Sequence, residues 1–203
     1  EFVTLLKEKN PNCHIRVNTN LSTTETGIFK LLCELPNVHW IVSVESIEQE
    51  YNYIRYHGNW QDFSNNIDVI SKLDHKITFN MLHFILNYKS IHSCVDYFKQ
   101  KGFNDNSFVI GPLYKPPHLN TMNLPDEMMH EILFNLNARL DKKPTGYLKN
   151  SYENLIKYYT TTNFKKNMKS FYYNLGVMDQ RRNQDARNVF PELFKGLDAY
   201  TLE

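Results

Sequence analysis

The chain has 203 residues, 41% hydrophobic and 22% charged, with 23 Lys plus Arg against 22 Asp plus Glu. This is a globular composition, not that of a disordered tail or a fibre, and a net charge of +1 lacks the broad basic field that drives generic nucleic-acid binding. No apolar run approaches the ~18 residues of a membrane span, and three cysteines, Cys13, Cys33 and Cys94, are too few and too scattered for a disulfide scaffold or a CxxC-type metal site.

Phe2, Leu5 and Leu6 recur at helical spacing up to Asn10-Pro11 and predict a first helix. Residues 15–20 alternate apolar and polar and predict a strand that runs into a loop at Ser22 to Thr24. Thr24 is the expected cap of a helix carrying Ile28, Phe29, Leu31 and Leu32, which stops before Pro36. Residues 38–44 (VHWIVSV) form a nearly continuous apolar run with β-branched members, the pattern of a parallel strand buried on both faces. His39, inside that run, is expected to be a satisfied core histidine. Residues 46–60 read as a polar and aromatic connection, after which Asp62 caps a helix with Phe63, Ile67, Ile70 and Leu73 on one face.

Residues 76–82 (KITFNML) are the third expected strand. Ser90 starts a helix with Ile91, Cys94, Val95 and Phe98 at i, i+3, i+4 and i+7, closed by Gly102. Residues 107–113 are the fourth strand, followed by a Pro-rich loop over 114–124. Pro125 opens a helix bearing Met129, Ile132, Leu133, Leu136 and Leu140. Residues 142–146 read as a linker. Two helices follow, around 148–160 and 164–175, the second stopped by Gly176, and the tail carries Arg181, Arg182 and Arg187.

Repeated βα units predict an α/β fold with a parallel sheet and right-handed crossovers. Any domain boundary falls near 142–147. Ligands of such folds bind outside the carboxyl ends of the strands, which selects residues 18–20, 43–46, 80–83 and 111–113. Singly, Asn and Ser at strand ends cap the next helix; four polar strand ends on one rim make a pocket. Neither a Gly-x-Ser-x-Gly nucleophile nor a phosphate-binding Gly loop is present, and the eight His are scattered without metal-ligand spacing. His83 and His118 fall at expected rim positions, where His118 would titrate near neutral pH. Few, unpaired cysteines suit a reducing, cytoplasmic setting.

These stretches resemble radical S-adenosylmethionine enzymes. The run VNTNLS, then a helix, then VHWIVSVES is similar to the third and fourth strands of that family. Residues 53–63 (YIRYHGNWQDF) are similar to its Ile-Arg-x-x-Gly connection, which leads into a helix matched by Asn66-Ile67. KITFNML, Asn87, Lys101-Gly102-Phe103 and SFVIGPL with its Pro-rich exit continue the match over roughly residues 1–140. The tail, with Asp179-Gln-Arg-Arg182 and Val189-Phe-Pro-Glu-Leu193, looks like the end of the twitch-bearing members.

The resemblance implies a partial (β/α)6 TIM-like barrel fragment of four parallel βα units over 1–141, with a helical, twitch-like extension over 147–203. It implies S-adenosylmethionine and a [4Fe-4S] cluster as cofactors, and hydrogen abstraction from a substrate by a 5′-deoxyadenosyl radical. Thr19, Asn20, Ser43, Glu45 and Arg55 are then the expected cofactor contacts at strand ends, with Met81, Ile110 and Gly111 flanking the adenine. A carboxylate such as Glu45 suits a ribose diol because it accepts from both hydroxyls. For Arg55 the alternatives are the cofactor carboxylate and a salt bridge to Glu48 or Glu50. For Met81 and Ile110-Gly111 the alternative is ordinary core.

The family's three closely spaced cysteines and its Gly-Gly-Glu-Pro element have no counterpart here. The expectation is therefore a C-terminal part of such an enzyme, inactive alone, with the cluster ligands upstream of Glu1. A peptide or protein is the expected substrate, with no nucleic-acid partner. A second βα-barrel class, the aldolases and phosphate-binding isomerases, lacks its Lys, acid pair and phosphate loop here. The third alternative is a non-catalytic peptide- or protein-binding module, with Tyr152, Tyr158, Tyr159, Phe171, Tyr172 and Tyr173 as its aromatic surface.

Overall fold

The computed structural model describes residues 2–200. Four strands, β1 (Ile15–Thr19), β2 (Val38–Ser43), β3 (Lys76–His83) and β4 (Phe108–Pro112), form one parallel sheet in the order β1-β2-β3-β4. Helices α1 (Phe2–Lys9), α2 (Gly27–Cys33), α3 (Glu48–Ile54), α4 (Trp60–Ile70) and α5 (Ser90–Gln100) alternate with the strands. The chain then continues through α6 (Asp126–Asp141), α7 (Gly146–Thr161), α8 (Met168–Arg182), a short α9 (Ala186–Val189) and α10 (Pro191–Tyr200). The expected α/β class and the four parallel strands are found.

The two faces of the sheet differ. Residues two apart share a face, and the register aligns Trp40 with Ile77, Val42 with Phe79, and Phe79 with Phe108. This face is dry: Val38, Trp40, Val42, Phe79, Met81, Phe108 and Ile110 are all buried. Phe29 of α2 packs on Trp40 at 5.4 Å between ring centroids, and Phe98 of α5 stacks on Phe79 at 4.1 Å. Each such fully buried side chain contributes about 1.5–3 kcal/mol relative to exposure. The other face carries Arg16, Asn18, His39, Ile41, Ser43, Asn80 and Val109, all exposed or half-buried. There His39 is bonded through Nε2 to the Thr78 hydroxyl at 2.8 Å. The expectation that β2 is buried on both faces, with His39 in the core, is thus corrected. Its apolar-looking run hides an alternation in which only every second residue is buried.

Local signals place most helices, with shifts. Thr26, not Thr24, caps α2, accepting from the Phe29 amide. Asn59, not Asp62, caps α4, accepting from the Asp62 amide. The expected connection over 46–60 contains α3, and α8 runs through Gly176 to Arg182, where Asn183 ends it in the left-handed conformation. Gly102 closes α5 with φ of 96°, as a glycine C-cap requires.

The core is continuous across the 142–147 link: Leu148, Tyr152 and Leu155 of α7 share one apolar cluster with Phe108 and Phe98. Helix α7 lies along the free edge of β4. The Ile110 amide, pointing away from β3, donates to Ser151 Oγ at 2.9 Å. The Leu113 amide points the other way, to the His83 carbonyl. By that alternation Pro112, with no N–H to satisfy, also faces the free edge.

Candidate functional site

Beyond the carboxyl ends of β2 and β3 lies a cavity of about 440 Å³. Ser43, Glu45, Asn80, Leu82 and Phe84 form its sheet side, Ile54 and Arg55 one wall, Leu113, Pro116 and Leu119 another, and Met178 and Arg182 of α8 its roof. Three of the four predicted rim stretches supply residues to it.

Glu45 follows directly after β2 and is only 5% exposed. Its carboxylate accepts from Arg55 Nε at 2.7 Å and from Nη2 at 2.5 Å, a bidentate pair. Burial pushes the Glu45 carboxyl above its usual range, and the Arg55 charge and hydrogen bonds pull it part of the way back. The backbone under it is fixed by Asn87, fully buried, whose amide donates to the Glu45 and Leu82 carbonyls at 2.8 Å each. Asn87 also accepts from the Phe84 amide, so one side chain ties the ends of β2 and β3 together. Beyond Glu45, Ser46 donates to Glu50 Oε2 at 2.5 Å, and the Cys94 thiol donates to the Ser46 carbonyl at 3.6 Å.

Arg55 therefore pairs with Glu45, not with Glu48 or Glu50. Ser43 and Asn80 line the cavity with no side-chain hydrogen bond among the described residues. The remaining expected contacts lie elsewhere. Thr19 is on the helix-covered side of the sheet, its hydroxyl accepting from the Leu21 amide at 2.8 Å, and Asn20 accepts from the Ser22 amide at 3.2 Å, so both serve their own loop. Met81 and Ile110 are buried in the core. Gly111 is half-buried on the polar sheet face beside Leu82, and a Cβ there would meet no atom within 4 Å.

The roof comes from far along the chain. Tyr53 donates its hydroxyl to Asp179 Oδ1 at 2.6 Å, and its carbonyl accepts from Arg182 Nη1 at 3.2 Å. The Arg182 guanidinium also stacks on Tyr56 at 4.9 Å from the ring centroid. Arg182 and Met178 were missing from the expected site, although the Asp-x-x-Arg pattern of the tail marked this turn of helix.

The two histidines expected at the rim do not line this cavity. His83 faces the core, bonded to the Tyr159 hydroxyl and the Tyr88 carbonyl, and burial lowers its pKa to about 4. Burial also lowers the pKa of His118, which lies outside the cavity lining. Among the described residues no group of three His, Cys, Asp or Glu is placed to hold a metal ion. Of the six aromatic residues expected to form a binding surface, Tyr152, Tyr159 and Phe171 are buried, Tyr158 and Tyr172 half-buried, and Tyr173 exposed. No family model matches the sequence, and searches of curated proteins and solved structures give no significant match.

Proposed function

We propose that the chain is the C-terminal portion of a radical S-adenosylmethionine enzyme acting on a peptide, its strands forming an arc of a partial (β/α)6 barrel. The sheet carries this reading. Doubly wound sheets switch strand order and take helices on both faces. Here the order is sequential, one face is covered by helices and the other is left open, as for an arc of barrel wall with its helices outside and no facing strands to fill the inner side. The cavity then lies at the carboxyl-end mouth, where barrel enzymes keep their chemistry.

In this reading Glu45 accepts from the ribose hydroxyls of the cofactor while Arg55 holds its carboxylate ionised. The apolar side chains of Leu82, Leu113 and Leu119 exclude water from the bound group. The residues described do not fit the cluster: Cys94 is buried against the Ser46 carbonyl, and Cys13 and Cys33 belong to no metal-binding group. In this reading its thiolates come from outside these residues. When both cofactors are bound, the family's chemistry is hydrogen abstraction from the substrate.

Titration calorimetry with S-adenosylmethionine tests the cofactor assignment. The chain is expected to bind it, and Glu45→Ala to weaken binding by about tenfold or more, since a hydrogen bond to a charged group contributes about 1.5–3 kcal/mol. An unchanged affinity removes Glu45 from the site, and no binding by the unaltered chain sinks the reading.

A further inference from the structure

The cavity has one charge that the fold leaves unbalanced. Glu45 and Arg55 neutralise each other as a bidentate pair. Arg182, the other charged residue of the lining, has no carboxylate within ion-pair distance among the described residues, where its one hydrogen bond goes to a backbone carbonyl. Asp179, one turn earlier on α8, uses Oδ1 on the Tyr53 hydroxyl and Oδ2 on the Ala186 amide, and does not line the cavity. The contacts of Arg182 with Tyr53 and Tyr56 hold its planar head in place while Nη2 and Nε remain available as donors. Ser43 and Asn80 add two polar side chains without hydrogen-bond partners among the described residues. Around them stand Leu82, Phe84, Leu113, Leu119 and Met178, so the rest of the cavity is apolar.

We infer that Arg182, with Ser43 and Asn80, forms a carboxylate-binding subsite, and that the substrate presents a carboxylate joined to an apolar body that fills the space beneath Met178. The inference rests on the proposed function for its view of the cavity as a substrate site; the carboxylate chemistry stands on the residues alone. For a peptide the carboxylate is the C-terminus or an acidic side chain next to an apolar residue. A planar guanidinium with two adjacent free donors matches a carboxylate fork, and apolar walls make that contact stronger than it is in water.

The experiment uses the 203-residue chain and two probes of the same shape, N-acetylphenylalanine as its carboxylate and N-acetylphenylalanine amide, which lacks the charge and has an NH2 donor in place of one acceptor oxygen, titrated by heteronuclear NMR. The carboxylate is expected to bind about tenfold tighter than the amide or better. Arg182→Gln is expected to abolish that preference. Equal affinities, no carboxylate binding, or a preference that survives in Arg182→Gln overturns the subsite. Should Arg182→Gln lower the unfolding midpoint, Ser43→Ala with Asn80→Ala carries the test: a severalfold loss confined to the carboxylate probe supports the subsite, and an unaltered preference overturns it. S-adenosylmethionine, added last, separates the sources. If it displaces the probe competitively, Arg182 holds the cofactor's carboxylate and the substrate assignment fails. If both bind together the assignment holds. If S-adenosylmethionine does not bind while the preference persists, the cofactor reading fails and the subsite stands.

Discussion

Glu45 is the residue on which the site turns, because its side-chain charge is kept under cover by one partner. Arg55 is 27% exposed and the Glu45 side chain 7%. Removing the guanidinium leaves a carboxylate buried without compensation, which costs about 3–5 kcal/mol in enclosed pairs. The partial exposure of Arg55 puts Arg55→Ala near the lower end of that range. Urea unfolding measures it, and a loss below about 1 kcal/mol would class the pair with surface bridges. Ser43 and Glu45 were legible as cavity residues because both sit at the end of β2, whereas Arg55 was reached only through the family resemblance. Arg182 was not legible, since its place depends on a contact with Tyr53 across 129 residues. Met81 and Ile110, for which core was the alternative, are buried: the strands were located correctly, but the face each residue takes depends on where the helices pack.

At the scale of elements, β4 shows how an edge strand is protected. Its outward Ile110 amide is taken by the Ser151 hydroxyl, which in turn donates to the Tyr147 carbonyl at 2.8 Å. Ser151→Ala strands a buried donor, a cost of about 1–3 kcal/mol. It should also speed hydrogen exchange at Ile110 more than at β3 amides inside the ladder; equal acceleration at both would show that α7 does not guard the edge locally. Helix existence was legible from periodicity, whereas helix starts were not. Thr24 and Thr26, or Asn59 and Asp62, are both cap-competent, and packing decides between them. Gly176 illustrates the converse. A glycine inside a helix costs only about 1 kcal/mol, so α8, anchored by Phe171, Leu175 and its contact with Tyr53, passes through it.

For the whole molecule, the parallel arrangement was legible from the repeating βα order, while the one-sided sheet was not. An apolar residue on a polar face, such as Ile41 or Val109, reads in sequence like a buried one. Acid stability belongs to this scale too. Burial lowers His83 to about 4 and His92 to about 3, against about 6.5 in an unfolded chain. Both are neutral in the fold, so their stabilisation is complete above pH ~6.5 and is lost as pH falls toward the folded values. The His83 share is on the order of 3 kcal/mol, taking 1.36 kcal/mol per pH unit. Urea midpoints from pH 7 to 4.5 should fall steeply, and less so in His83→Gln; parallel curves would assign the acid lability to other groups.

The double hold on Tyr53, hydroxyl to Asp179 and carbonyl to Arg182, also sets an order of events during synthesis. A chain made from its N-terminus has all four strands available once Pro112 has emerged, yet its cavity has no roof until residue 182 follows. Closing that contact across 126 residues pays a loop entropy that neighbouring βα pairs avoid. Loop entropy therefore has the neighbouring βα pairs assemble before the chamber closes, which waits on the return of α8 to Tyr53.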